Sequence, residues 1–388
     1  MSAPARLSFR DRSGGPKKIA FLATEDWFFQ SHFLPFAREA RSIGLDPILI
    51  ARVRDGRAAI EREGCRVIAL EAERSSLNPG RIFGNLAALR KVLRAEKPDI
   101  VHCISLRLAV LGGVAARSAG VKNIVLAPVG LGQLWISNSL GERIVRSAVR
   151  PLIGRVLRRT GTTYLFENES DPLEFGLKPD DPDVTVIGGA GVDPEKFYPF
   201  PEPPEPPVRI AIVARMVGAK GIVESLAAVK RAREFGASVE LSLFGSIDTS
   251  NRSALTPEAL NDLCRVSGAT WHGHCADVAG VWRDHHIAML LSEREGLPRS
   301  LIEAAACGRP AIATDVTGCN TVVRHEIEGL LVARGDVEQT SQAILRLVND
   351  AKLRLSLGAS AAQRFRTFFT EATVRETLRN VYLRYVDP

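Results

Sequence analysis

The sequence predicts an α/β protein built from two doubly wound, Rossmann-like domains in tandem. Three observations carry that prediction. Short β-branched runs alternate with longer helix-period segments along nearly all of the 388 residues. The alternation stops once, at 199–207 (PFPEPPEPP), where six of nine residues are proline, and then starts afresh. A βαβα pattern of this kind means parallel strands covered by helices on both faces, and this length favours two such units.

In the first half the strand candidates are KIAFLA (18–23), DPILIA (46–51), RVIAL (66–70), DIVHC (99–103), NIVLA (123–127), TTYLF (162–166) and VTVI (184–187). Between them lie helix-period segments such as FLPFAREARSIG and IFGNLAALRKVLRAE, the latter with apolar residues at i, i+4 and i+7. Proline lacks the amide donor and fixes φ, so 199–207 reads as a stiff interdomain linker. The second series is VRIAIVA (208–214), VELSLF (239–244), ATWH (269–272), IAMLL (287–291), PAIAT (310–314) and GLLV (329–332). A last helix, 371–386, follows a break at TFFTE. The expected organisation is a basic disordered tail at 1–16, an N-terminal domain at 17–198, the linker, a C-terminal domain at 208–368 and the final helix at 369–388. Two doubly wound domains place ligands at the carboxyl ends of their strands, here in an expected cleft between them.

Composition narrows the function. Hydrophobic residues make up 45% and charged residues 24%, which excludes a mostly disordered chain, a collagen-like chain or a disulfide scaffold. No apolar run approaches the ~18–20 residues needed to span a bilayer, and the first sixteen residues carry Arg6, Arg10 and Arg12 without a signal-peptide core. A cytoplasmic protein is expected. The six cysteines (65, 103, 264, 275, 307 and 319) include no CxxC pair and read as reduced thiols. A net charge of +7 points to an anionic partner: nucleic acid, acidic lipid or a phosphorylated ligand. Aromatic residues form no stacking platform interleaved with basic ones, which disfavours nucleic acid.

The densest chemical signal is SEREGLPRSLIEAAACGRP (292–310), directly after IAMLL. Glu295 and Glu303 flank a loop containing Gly296 and Pro298, and a helix is expected to start near Ser300. Its first turn would present unpaired amides and a positive dipole end, suited to a phosphate. A surface loop with a capping glutamate accounts for this stretch equally well. The second signal is ARMVGAKG (214–221), where Arg215 and Lys220 leave the first strand of the second domain together. A guanidinium fork and an ammonium there could neutralise a diphosphate. A solvated basic loop is the plainer reading of either residue alone.

Together, R-x4-K-G after the first strand and E-x7-E ahead of ACGRP resemble the retaining family-4 glycosyltransferases of the GT-B fold. GAGVDPEKF (189–197) and DVTGCNTVVRHEIEGLLV (315–332) are similar to further family segments. DWFFQSHFLPFAREARSIG (26–44) and APVGLGQLW (127–135) resemble the bacterial subgroup that builds lipid-linked surface polysaccharides, including lipopolysaccharide and exopolysaccharide. The resemblance spans roughly residues 17–388.

It implies an enzyme that moves a hexose or N-acetylhexosamine from a nucleotide diphosphate sugar, most simply UDP-linked, to a lipid-linked saccharide with retention of configuration. Arg215 and Lys220 would bind the diphosphate, Glu295 the transferred sugar and Glu303 the ribose. Gly296 and the amides around Leu297, Ser300 and Leu301 would hold sugar and phosphate. The N-terminal domain would bind the acceptor, the C-terminal domain the donor, and the final helix would return to the N-terminal domain. No metal and no cofactor are implied; the nucleotide sugar is a substrate. The alternatives are a GT-B sugar-nucleotide epimerase and a non-catalytic membrane-surface binding protein.

The chain departs from the family pattern in places. The loop after the first strand reads TEDWFFQ (24–30) instead of carrying a Gly-Gly pair, and APVGLG, with Pro128 and Gly130, stands where a histidine is common. Asn320 and Thr321 replace a frequent charged pair. His102 is read as structural.

Several further features have plain readings. Asp181-Pro182-Asp183 reads as a solvated turn. Cys264, His272, His274 and Cys275 fit no standard zinc spacing. GLG (130–132) and GGAG (188–191) are incomplete dinucleotide fingerprints. In ERIVRSAVRPLIGRVLRRT (142–160), an apolar face from Ile144 to Leu157 is ringed by Arg143, Arg146, Arg150, Arg155, Arg158 and Arg159. The common reading is a core helix with a solvated basic face. The functional expectation is a patch resting on the anionic cytoplasmic face of the inner membrane, where each basic residue is worth ~1 kcal/mol. Arg90, Lys91, Arg94 and Lys97 could extend it, and Pro151 is expected to kink or divide the helix.

Overall fold

In the computed structural model, residues 15–71, 79–136, 139–248 and 253–386 are described. The basic tail lies outside them except for its last two residues. The chain forms two compact units, one running to Gly191 and including the stretch from Glu371 onward, the other comprising Val192–Thr370.

The first unit is a seven-stranded parallel sheet: β1 (Lys18–Glu25), β2 (Asp46–Arg52), β3 (Arg66–Ala69), β4 (Ile100–Ile104), β5 (Asn123–Ala127), β6 (Thr162–Phe166) and β7 (Val184–Val186), in the order β3-β2-β1-β4-β5-β6-β7. Every residue of β4 and β6 is buried, as expected for strands with helices on both faces. The chain does not loop after β1. The strand runs on to Glu25 and a helix, Asp26–His32, begins at once. Asp26 is fully buried and accepts the amides of Arg54 (2.9 Å) and Gly56 (2.8 Å), locking the ends of β1 and β2 together.

The final helix, Glu371–Val386, belongs to this unit. Val374, Leu378, Val381, Tyr382 and Val386, a stripe at helical spacing, are buried in the core beside Phe21 and Phe36. The buried Glu39 carboxylate accepts Nε of Arg375 (2.9 Å) and Nε of Arg379 (2.7 Å), fixing the helix along Leu34–Ser42.

The second unit is a six-stranded parallel sheet: β8 (Val208–Val213), β9 (Val239–Phe244), β10 (Thr270–Trp271), β11 (Ile287–Leu290), β12 (Ala311–Thr314) and β13 (Gly329–Val332), ordered β10-β9-β8-β11-β12-β13. In both sheets the order reverses beside the first strand, at β1/β4 and at β8/β11.

The proline-rich segment, expected as a stiff interdomain linker, lies within the second unit. The unit boundary falls upstream, at 191/192, and the segment is strapped to the second unit. Prolines leave carbonyls without internal donors, and buried side chains supply them. Arg309 Nη2 donates to the Pro201 carbonyl (2.8 Å), and His286 Nε2 lies 3.0 Å from that of Pro203. The fully buried Arg354 donates to Glu202 (2.9 Å) and Glu205 (2.6 Å).

Candidate functional site

The switch point β8/β11 assembles the site. In open parallel sheets the loops leaving the carboxyl ends diverge there, opening a crevice. The loop after β8 is pinned by Met216, whose side chain is buried and whose amide donates to Ser246 O (3.0 Å). A short 3₁₀ turn, Gly218–Lys220, then leads into Gly221 at φ +67°. A Cβ on Gly221 would fall 2.2 Å from the Leu291 carbonyl oxygen, so only glycine allows the two loops to approach this closely. The Glu293 amide donates to Ala219 O (3.0 Å) and joins them.

Across that junction Lys220 Nζ forms an ion pair with Glu295 Oε1. The same oxygen accepts Ser292 Oγ (2.5 Å), and the Glu295 amide donates to Thr317 O (3.1 Å). Glu295 is thus fixed from three sides. Gly318, at φ +88°, closes the back: a Cβ there would lie 2.7 Å from the Glu295 Cβ and from the carbonyl oxygens of Glu295 and Gly296. Arg215 stands apart from this pair, its side chain about half exposed and donating to Asp248 Oδ2 (2.5 Å) in the loop after β9.

The expected helix spans Arg299–Ala306. Pro298 stands at its N-cap and offers no side-chain cap, so the positive end of the dipole faces the loop that carries Glu295 to Leu297. The Leu301 amide donates to Pro298 O (3.1 Å) in the first turn, and its side chain is buried. Glu303 is buried and accepts Arg299 Nε (2.8 Å). Burial raises its pKa, while Arg299 and Lys196 act in the opposite direction. The arrangement sets two cations, a fixed carboxylate, a buried carboxylate and a helix N-terminus at one sheet edge. That is a chemistry for an anionic, hydroxyl-rich ligand.

Sequence reasoning did not single out Ser292, Asp248 or Gly318. Ser292 directly follows the apolar run IAMLL and Asp248 sits just beyond VELSLF, so strand ends were the available signal.

Two family descriptions match the chain: "Glycosyl transferase 4-like" over residues 18–160 and "Glycosyl transferases group 1" over 207–350. The chain belongs to the glycosyltransferases. The second match contains the whole site just described. Among relatives of this glycosyltransferase is the N,N'-diacetylbacillosaminyl-diphospho-undecaprenol α-1,3-N-acetylgalactosaminyltransferase of Campylobacter jejuni, 28% identical over 77% of this chain and 81% of its own length. Another is the UDP-Gal:α-D-GlcNAc-diphosphoundecaprenol α-1,3-galactosyltransferase of Escherichia coli, 25% identical over 70% and 72%. In structure the glycosyltransferase resembles Anabaena HepE, solved with UDP and glucose, at TM-score 0.74 and 15% identity over 94% of this chain and 98% of that one. The fold is GT-B.

In the first unit the basic patch forms only in part. The α-helix Leu140–Pro151 ends at its proline and a π-helical turn, Leu152–Val156, continues it. Ile153 and Leu157 enter the core, while Leu140, Ile144 and Val156 are exposed. Arg143, Arg150, Arg155 and Arg159 are exposed. Arg150 pairs with Glu174. Arg158 is withdrawn from the patch: it forks onto Asp183 (2.7 and 2.8 Å) and reaches Asp181 (3.0 Å), so the acidic turn is an ion-pair partner. Arg146 donates to Trp135 O (3.3 Å). Among the described residues no helix is long and apolar enough to cross a membrane.

His102 is fully buried, with Nδ1 2.9 Å from the Tyr382 hydroxyl. Burial lowers its pKa to about 3.

Proposed function

We propose that the glycosyltransferase moves a hexose or N-acetylhexosamine from a UDP-sugar to a lipid-linked saccharide diphosphate during bacterial surface-polysaccharide synthesis, with retention at the anomeric carbon. The observation that carries this reading is the Lys220–Glu295 pair at the β8/β11 switch point, flanked by Arg215 and the Arg299–Ala306 N-terminus. Lys220 and Arg215 take the diphosphate and stabilise the charge that grows on it as the bond to C1 breaks. Glu295 orients the sugar through its hydroxyls, with the amides of Gly296, Leu297 and Ser300 beside it. Glu303 accepts from the ribose. In this reading the C1–phosphate bond breaks and the C1–acceptor oxygen bond forms on the same face. The acceptor proton passes to the departing phosphate, so no histidine is required. The second unit is the donor domain and the first the acceptor domain. The names of the Campylobacter and Escherichia relatives support the lipid-diphosphate acceptor, and the UDP complex of HepE supports the base.

A peripheral membrane contact goes with a lipid-linked acceptor. It is favoured by the exposed Leu140 and Ile144 on a helix with no buried residue, beside Arg143 and Arg155.

Calorimetric titration with UDP, GDP and ADP, without added metal, tests the core of the reading. One diphosphate, UDP, is expected to bind and to lose binding in Lys220→Ala. No binding of any of them overturns it.

A further inference from the structure

The carboxyl edge of the first sheet holds a cavity of about 30 Å³. Its apolar lining comes from the ends of β1 and β2 (Ala23, Ile50), from Leu70 after β3, and from Leu89 on the helix Pro79–Glu96. Leu108 and Leu111, on the helix Leu106–Ala119, complete it. Three nitrogen-bearing side chains, Arg52, Asn85 and Arg107, also face it, with Thr24 the lone hydroxyl among the lining residues. Asn85 Nδ2 is buried and makes no hydrogen bond. Arg52 Nε is buried too, and lies 3.3 Å from Glu71 without hydrogen-bond geometry. A buried amide donor without a partner is unfavourable, so a group that accepts from Asn85 is favoured here.

Size and polarity narrow that group. About 10–15 Å³ of such space holds one water, so this cavity takes two or three heavy atoms, not a pyranose ring. Arg52 is already neutralised by Glu25 (3.2 Å) and Glu71, which removes the net charge a free phosphate would need at that end. What fits is a small group with a carbonyl oxygen for Asn85 and a methyl for the leucines. We propose that this cavity receives the acetyl end of the acetamido group on the acceptor's first sugar, with the amide nitrogen left at its mouth, making the glycosyltransferase selective for 2-acetamido sugar diphosphates. The inference rests on the lipid-diphosphate acceptor reading above. The acetamido-bearing acceptor sugars named for the Campylobacter and Escherichia relatives accord with it. The edge is held rigid by Asp26, which ties the segment after β2 to β1.

The test compares two short-chain polyprenyl diphosphate acceptors, one bearing N-acetylglucosamine and one glucose, with the wild type, Asn85→Leu and Asn85→Asp. Wild type is expected to favour the acetamido acceptor through KM, and both variants to lose about three- to tenfold of that preference, the worth of one hydrogen bond, at unchanged kcat. Saturation-transfer NMR with the acetamido acceptor should show the acetyl methyl as the most strongly contacted group in wild type and less so in Asn85→Asp. Equal use of both acceptors, a preference kept in both variants, or an acetyl methyl without contact overturns the inference. Release of UDP from the donor and calorimetric UDP binding are read in parallel. If those persist, only the acetamido pocket has failed; if they are absent in wild type, the function reading itself has failed.

Discussion

Lys220 and Glu295, 75 residues apart, form an ion pair that bridges the loops leaving the two central strands of the second sheet. The group proposed to meet the diphosphate and the group proposed to meet the sugar therefore hold each other before either meets a ligand. Ser292 also donates to the carboxylate, and the Thr317 carbonyl holds the Glu295 backbone amide. In the proposed reading a donor diphosphate competes with Glu295 for Lys220, and Ser292 still holds the carboxylate.

Truncating the cations separates binding from orientation. Lys220→Ala is expected to lower kcat by about 10²-fold or more, in line with loss of a group that stabilises developing negative charge. Arg215→Ala should act in the same direction and less strongly, because its side chain is half exposed and shared with Asp248. Glu295→Gln releases Lys220 and removes a negative charge, so UDP binds at least as tightly while transfer falls. Steady-state kinetics with calorimetric UDP titration distinguishes these three outcomes, and wild-type turnover in all of them removes the site assignment.

Gly318 supports the site by letting its backbone lie against Glu295 and Gly296. Gly318→Ala places a methyl against the backbone of Glu295 and Gly296 at a φ that disfavours side chains. A cost of about 1–3 kcal/mol is expected from the overpacking. Thermal unfolding should show the loss, and kcat should fall further than stability explains because Glu295 is displaced. A variant with an unchanged melting temperature and full activity would contradict this geometry.

The strands of both units were legible because buried parallel strands are written as unbroken β-branched runs, and the proposed site residues Arg215, Lys220, Glu295 and Glu303 stand out in sequence by their spacing after such runs. What the sequence concealed are partnerships made by the sheet. Asp248 meets Arg215 only because β9 lies beside β8, and Ser292 was hidden within a charged loop. The proline-rich segment reads from sequence as a stiff interdomain linker because its anchors, Arg309 and Arg354, lie more than a hundred residues downstream. Arg158 was placed in a basic patch because spacing alone does not reveal Asp181 and Asp183 beneath it.

Glu303 tests the ribose assignment. Glu303→Gln keeps the shape and is expected to weaken UDP binding more than it lowers kcat, measured by titration and saturation kinetics. The pH dependence of stability has a definite sign. Burial raises the Glu303 pKa above its ordinary 4.5, so its contribution to stability is present below that value and is lost as pH rises through the raised one. Melting curves of wild type and Glu303→Gln should therefore diverge as pH increases from 4.5, with the variant relatively more stable.

Three buried histidines set an opposite dependence. Burial lowers His102 to about 3 and His285 to about 4, and lowers His286 as well. Below the ordinary value of 6.5 the unfolded chain takes up protons that the folded one refuses, so stability falls as pH drops from 6.5 toward 4. His102→Asn should reduce that slope in thermal melts between pH 7 and 5. The proposed mechanism uses no histidine, so the pH profile of kcat in His102→Asn should keep the wild-type shape.

The exposed face of Leu140–Pro151 decides the membrane contact. Leu140 and Ile144 are more than 60% exposed on a helix that buries no residue, an arrangement with little value to the core. If the helix rests at an interface, the two apolar side chains insert and Arg143 and Arg155 meet anionic headgroups. Sedimentation with vesicles containing 30% anionic lipid, taken as roughly the charge density that makes basic segments bind at ~1 kcal/mol per residue, should pellet the wild type at low salt. The double variant Leu140→Glu/Ile144→Glu should remain in the supernatant, and Arg143→Glu/Arg155→Glu should lose binding chiefly at low salt, where the Debye length is long. Because none of these residues belongs to the donor site, UDP affinity in both variants should match wild type. Equal pelleting of all three proteins would mean that the helix faces water.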